Sequence, residues 1–343
     1  MPARCCPSPA VAARMQRAVA LHRQGDLAEA DRIYREIIGQ VPDYFDALHL
    51  SGVAAAQRGR FAEAERLIGQ ALSIDPDDTD ALNNRGNVLK ALQRFDEALA
   101  SYDRALAIRP DYAEALSNRG NALTELKRPD EALASYDRAL AIRPDDPVAL
   151  NNRGNVLKQL KRLDEALASY DRALAIRPDY ADALNNRGTA LAELKRLDEA
   201  LASYDRALAI SPDDAEAVRN RGIVLQELKR FDEALASYDR ALAIRSDDAD
   251  ALNSRGNVLR ELGRLDGALA SHDRALGIRP DYAEANRNRG IVLRDLGRLD
   301  EALAGYDRAL AIRPDYADAH WNESLCHLLA GDFAAGWAKH EWR

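Results

Sequence analysis

Cysteine is nearly absent. Among 343 residues there are three, with Cys5 and Cys6 adjacent and Cys326 far away. That spacing excludes a disulfide framework, and without a CxxC pair it suggests no zinc site. An excess of basic residues is also missing. The net charge is −8 and the pI about 5.4, so the chain lacks the basic stripe of a nucleic-acid binder. No apolar run approaches the roughly 20 residues a membrane helix needs. The opening MPARCCPSPAVAARMQ holds no signal-peptide core. Together these absences predict a cytoplasmic protein with neither a membrane nor a nucleic-acid partner. Catalytic signatures are missing as well: there is no Gly-rich phosphate loop, nucleophile elbow or HExxH. His320 and His327 could share a helix face beside Cys326, but no metal site is expected there. No cofactor and no catalytic residue are expected either.

What the chain has is repetition. The segment DEALASYDRAL starts at Asp96, Asp130, Asp164, Asp198 and Asp232, with variants at Asp266 and Asp300, a period of 34 residues. With position 1 set at Thr79, nine windows fill residues 11–316 and a partial tenth covers 317–343. Residues 1–10 read as a disordered tail. Position 4 is large and apolar (Leu82, Leu116), and position 8 is Gly in eight windows from Gly52 to Gly290. Position 20 is Ala (Ala98), position 24 aromatic (Tyr102), position 27 Ala (Ala105) and position 32 Pro (Pro110), with Ser246 the exception.

This pattern over this period resembles the tetratricopeptide repeat. The resemblance implies an all-α, right-handed superhelical solenoid of antiparallel helix pairs. Helix A is expected over about positions 2–14 and helix B over 15–28. Eight glycines inside helices, each costing about 1 kcal/mol against alanine, imply a packing role, namely close approach of the two helices beside Ala at 20 and 27. Leu89, Leu92, Leu99 and Leu106 supply the apolar stripe at helical spacing. Pro110 stops helix B. Asp111 with Glu114, and likewise Asp179 with Asp182 and Asp281 with Glu284, read as capping boxes for the next helix A. One hairpin cannot bury its apolar face alone, so neighbours must stack.

Position 7 is Arg from Arg85 to Arg289, and position 25 carries Asp, as in Asp103 and Asp137. Pairing between helices is the expected use. Position 2 is mostly acidic (Asp80, Glu114, Asp182, Glu216), a favourable charge for a helix N-terminus.

The binding candidates lie on helix A. Position 6 is Asn at Asn84, Asn118, Asn152, Asn186, Asn220, Asn288 and Asn322, interrupted by Ser254. Position 9 is Asn at Asn87, Asn121, Asn155 and Asn257, interrupted by Thr189, Ile223 and Ile291. Positions 6, 9 and 13 share one helical face. Asn is a mediocre helix former, and its amide both donates and accepts, so two Asn rows can grip the peptide groups of an extended ligand. The alternative is that these amides bond between repeats and set the stacking. Helix B barely changes along the chain whereas helix A does, as expected of a fixed frame with a tuned inner face. The rows resemble the binding arm of protein O-linked N-acetylglucosamine transferases, with Asn84-Arg85-Gly86-Asn87 close to that family's local pattern apart from the Arg. A carboxylate clamp of the co-chaperone kind is disfavoured, because position 2 is acidic and only Arg219 and Arg287 would suit it.

The last window changes character. All three tryptophans, Trp321, Trp337 and Trp342, lie there with Phe333. The segment resembles the junction at which such repeats lead into a bacterial glycosyltransferase domain, implying a docking point for such a domain or subunit. The expected function is a protein-binding scaffold that is not itself an enzyme. The alternative is the substrate-recognition arm of a truncated or split glycosyltransferase of the protein O-GlcNAc transferase type.

Overall fold

The computed structural model describes residues 8–340. Twenty α-helices account for its regular structure, and the described residues contain no strand. None of the helices is long and apolar enough to cross a membrane. They alternate as A and B helices of antiparallel hairpins. The chain forms two compact units, Met1–Pro178 and Asp179–Arg343, and the described residues of each make five hairpins.

The repeat sets the helix lengths. In the window from Thr79, helix A is Thr79–Ala91 and helix B is Phe95–Ile108. Helix B therefore covers positions 17–30, not 15–28. The displaced residues are in the A–B turn. There Gln93 has φ +60, and Lys127, Lys161, Lys195 and Lys229 take the same left-handed conformation. Helix A cannot run on through such a residue, so helix B starts later. Helix B ends at Ile108 with Arg109 as C-cap, one residue before Pro110. It ends in the same place at Ile244, where Ser246 replaces the proline, so the turn holds without it.

Two further expectations are corrected. Helix Pro9–Arg23 starts inside the anticipated tail, capped by Ser8, whose Oγ accepts from the Val11 amide at 3.4 Å. The capping boxes at Asp111, Asp179 and Asp281 do not form, because the N-cap residues are Tyr112, Tyr180 and Tyr282, which make no side-chain cap. The acids sit one residue too early. Where Asp occupies the cap position itself, as at Asp78, Asp146, Asp214 and Asp248, its carboxylate does accept from the helix. At the tyrosine caps, arginines from the end of the preceding helix B cover the ring instead, Arg109 at 3.5 Å from the Tyr112 centroid and Arg279 at 4.5 Å from that of Tyr282.

Stacking buries what one hairpin cannot. Leu106, Ala115, Leu116 and Ala139 form one cluster across successive windows, and Leu89, Ala98, Tyr102 and Ala122 form another. Fully burying one such leucine stabilises by about 1.5–3 kcal/mol. Leu92, at the helix A C-cap, is half-buried. Within each unit, the A helices from Phe45–Gln57 onward touch the A helix of the next window, whereas no B helix makes comparable contact with another B helix among the described residues. Tighter spacing of the A layer puts it on the inner side of the curve.

Candidate functional site

The inner face is built around a contact that the repeat spacing does not announce. The ring of the position-24 tyrosine lies against the position-8 glycine of its own hairpin. A Cβ on Gly86 would meet the Tyr102 ring at 2.4 Å, and one on Gly154 would meet Tyr170 at 2.5 Å. The glycine thus makes room for a ring as well as for a helix. The phenol then reaches the residue that follows the glycine on helix A. Tyr102 donates to Asn87 Oδ1 at 2.8 Å, Tyr136 to Asn121 at 2.6 Å and Tyr170 to Asn155 at 2.8 Å. Burial pushes the Tyr102 and Tyr136 phenols above the usual tyrosine range, so they remain donors at neutral pH. Where position 9 is not Asn, Tyr204 donates to Thr189 and Tyr238 to Gln226, whereas the Tyr306 hydroxyl, in the hairpin with Ile291, is buried without a hydrogen-bond partner.

Position-6 asparagines reach back to the preceding window. Asn118 donates to Asn83 at 3.0 Å, Asn152 to Asn121 at 3.0 Å, Asn220 to Asn185 at 3.5 Å and Asn288 to Asn253 at 3.0 Å. Asn84 pairs with His49 at 3.0 Å, and Asn322 donates to the Asp318 carbonyl at 2.6 Å. Asn186 and Asn257 sit half-buried on the same face, and Asn288 is buried. These bonds leave a complementary donor and acceptor only where both rows are Asn and the position-6 carbonyl is free. On helix Ala113–Glu125, Asn121 commits its carbonyl to Tyr136 and keeps its amide N–H donors, while Asn118 commits a donor and keeps its carbonyl; other position-6 carbonyls are taken, at Asn152 by Asn151, at Asn288 by Arg287 and at Asn322 by Arg294.

The position-7 arginines pair as expected, and do so between windows. Arg119 donates to Asp103 at 2.6 Å and Arg153 to Asp137 at 2.6 Å, with Ser135 and Ser169 as second acceptors at 2.7 Å. Those buried serines, which in turn donate to carbonyls one turn back, went unnoticed in the sequence. The position-2 acids do more than favour the helix terminus: Asp80 takes Arg109 at 2.6 Å and Asp250 takes Arg279 at 3.1 Å.

Three recesses open on the inner face. One, of about 300 Å³, is largely apolar and is lined by Val53, Ala56, Phe61 and Val88 with Asn84 and Asn87. The next, of about 530 Å³, is mixed, with Lys90, Gln93, Glu125, Asn121 and Asn155 beside Phe95. Both lie within Met1–Pro178. The third, of about 230 Å³ in the other unit, includes Thr189, Ala192, Asn220, Ile223 and Glu227.

At the C-terminal end Leu329, Phe333 and Trp337 are 65%, 62% and 59% exposed. Trp321 is half-buried, its ring 4.5 Å from that of His340. Trp342 lies outside the described residues, as do Cys5 and Cys6. His320 and His327 take separate partners, the Pro314 carbonyl for the first and Glu323 with Asp332 for the second. His272 occupies the place of the tyrosine in its hairpin, fully buried with neither ring nitrogen partnered.

Comparisons with known proteins bear on this arrangement. Family models described as "Tetratricopeptide repeat" match residues 21–85, 78–145, 145–213 and 189–255, and one described as "TPR repeat" matches 256–293 and 292–322. Comparison with the curated proteins found no match. Among solved structures, a tetratricopeptide repeat protein from Parabacteroides merdae is 19% identical with a TM-score of 0.57, over 73% of this chain and 98% of that one. PilW, described as a widely conserved type IV pilus biogenesis factor, is 24% identical with a TM-score of 0.57, over 60% and 96%. YrrB, described as a TPR protein with an unusual peptide-binding site, is 27% identical with a TM-score of 0.47, over 54% and 95%.

Proposed function

We propose that this chain, which belongs to the tetratricopeptide repeat family, is a non-catalytic scaffold that holds an extended peptide segment of another protein along the A-helix face. The observation that carries this reading is the paired amide. Asn87 and Asn155 have their carbonyls occupied by Tyr102 and Tyr170, leaving N–H donors toward the groove, and Asn118 keeps its carbonyl. A peptide group needs one of each. Each such bond contributes only about 0.5–1.5 kcal/mol net, so affinity requires several rungs.

The same amides also link neighbouring windows, so alanine substitutions would confound grip with stacking. Aspartate separates them. In Asn87→Asp and Asn155→Asp an oxygen still accepts from the tyrosine, and the groove-facing donors are gone. With a random peptide library displayed on phage, the wild-type chain should enrich binders. The double aspartate variant should lose them while keeping its helical circular dichroism and its urea midpoint within about 1 kcal/mol of stability. Retained binding by the folded variant would refute the amide ladder.

A second reading, the substrate-recognition arm of a glycosyltransferase, draws on the exposed Leu329, Phe333 and Trp337. An exposed apolar cluster of this kind marks a contact surface. The coding sequence beyond Arg343 decides it: a sugar-nucleotide-binding domain there would favour the arm.

A further inference from the structure

The two recesses of the unit Met1–Pro178 differ in chemistry, and the difference specifies a ligand. The apolar recess lies between helix Phe45–Gln57 and helix Thr79–Ala91, with Val53, Ala56 and Phe61 facing Val88. The neighbouring recess begins on the far side of Thr79–Ala91, where Lys90 stands among Asn121, Asn152 and Asn155.

Lys90 is half-buried and has neither an ion pair nor a hydrogen-bond partner among the described residues. Burial pulls its pKa below the ordinary lysine value, with the charge of Glu125 opposing. Apart from Gln93 and Glu125, the acceptors around it are already committed. Asn121 Oδ1 takes both Tyr136 and Asn152, Asn155 Oδ1 takes Tyr170, and the Thr124 hydroxyl donates to the Gly120 carbonyl. What Asn121 and Asn155 still offer is N–H. An ammonium with amide donors around it suits a carboxylate. Glu125, exposed at the rim, is the one acid lining the recess, and it works against an anion there.

Contacting A helices pack about 8–10 Å apart and an extended peptide advances about 3.3 Å per residue. We propose that the groove of Met1–Pro178 selects a peptide with an apolar side chain and a Glu or Asp side chain about two or three residues apart, the first seated against Val53 and Phe61 and the second against Lys90. This inference rests on the peptide-binding reading and narrows it to a ligand class.

The test uses the full chain and fluorescein-labelled peptides of Ser, Thr and Gly carrying one Leu and one Glu about two or three residues apart, in both orders. Replacing the Glu by Gln should weaken binding about tenfold, and replacing the Leu by Ser should weaken it further. Lys90→Gln should bind the Glu and Gln peptides alike, Lys90→Arg should keep the preference, and Glu125→Gln should tighten the Glu peptide. Equal binding of Glu and Gln peptides by the wild-type chain would overturn the carboxylate site while leaving peptide binding intact. Indifference to the Leu→Ser change would overturn the apolar seat. Binding of none of these peptides would overturn the ligand class itself.

Discussion

His272→Tyr should stabilise the repeat array, and by an amount that depends on pH. In three other hairpins the buried tyrosine donates to a position-9 Asn, at 2.6–2.8 Å for Asn87, Asn121 and Asn155. Asn257 holds that position opposite His272, and Gly256 leaves the same space for a ring, since a Cβ there would meet the imidazole at 2.6 Å. A tyrosine restores a bond worth about 0.5–1.5 kcal/mol and removes two buried, unpartnered nitrogens, each costing about 1–3 kcal/mol. The expected gain at pH 7 is about 2 kcal/mol or more. Burial lowers the His272 pKa to about 4, helped by Arg260 and Arg289 and opposed by Asp273. Above the ordinary value near 6.5 the ring is neutral in both folded and unfolded chains and titration contributes nothing. As pH falls below 6.5 the unfolded chain takes up a proton that the folded one refuses. The wild type therefore loses about 1.4 kcal/mol per pH unit, down to pH about 4, where the loss levels off. Urea unfolding of wild type and variant from pH 7.5 to 4.5 measures the difference, and titration of the shared carboxylates cancels. A variant less stable than wild type at pH 7, or a gap that does not widen on acidification, would refute the argument. Because each repeat contacts only its neighbours, hydrogen exchange should localise the gain to the helices around Leu265–Ile278.

Two further outcomes test the packing of the frame. Gly154→Ala should destabilise by about 1–2 kcal/mol, since overpacking against the hydrogen-bonded Tyr170 ring outweighs the helix-propensity gain. Gly69→Ala, with nothing within 4 Å of the added methyl, should stabilise by up to about 1 kcal/mol; urea midpoints compare the two, and equal effects would show that the ring contact is not what holds glycine at position 8. At the A–B turn, Lys127 sits at φ +58, where Gly59, Gly263 and Gly297 serve in other hairpins. Lys127→Gly should therefore raise stability by about 0.5–1 kcal/mol, read by the same midpoints, and a loss would show that the lysine side chain outweighs the backbone strain.

Much of this protein was legible in its residues. The 34-residue period, the apolar spacing and the proline at position 32 define alternating helices whose number and length the structure reproduces. The Arg–Asp pairing was readable too, because one charge of each sign recurs per repeat. Identical repeats give each position the same neighbours, so a single window speaks for the array. The helix B boundary was misplaced by two residues because a lysine carries no sign of positive φ, whereas a glycine there would have. The capping boxes failed for a similar reason: Asp111 has the right spacing, but Tyr112 is the residue with cap dihedrals.

The candidate site depended most on tertiary structure. Sequence alone determined that Gly86, Asn87 and Tyr102 recur together and that the asparagines share a helical face. That the tyrosine lies on the glycine and spends the asparagine carbonyl, leaving only its N–H toward the groove, was decided by how the two helices of a hairpin cross. The same holds for Lys90. Periodicity places it on helix A, but its lack of an ion-pair or hydrogen-bond partner depends on where Glu125 and the neighbouring amides point. A helical period fixes direction around one axis, whereas a hydrogen bond requires two axes at a set distance and register, and only the packed hairpins supply that.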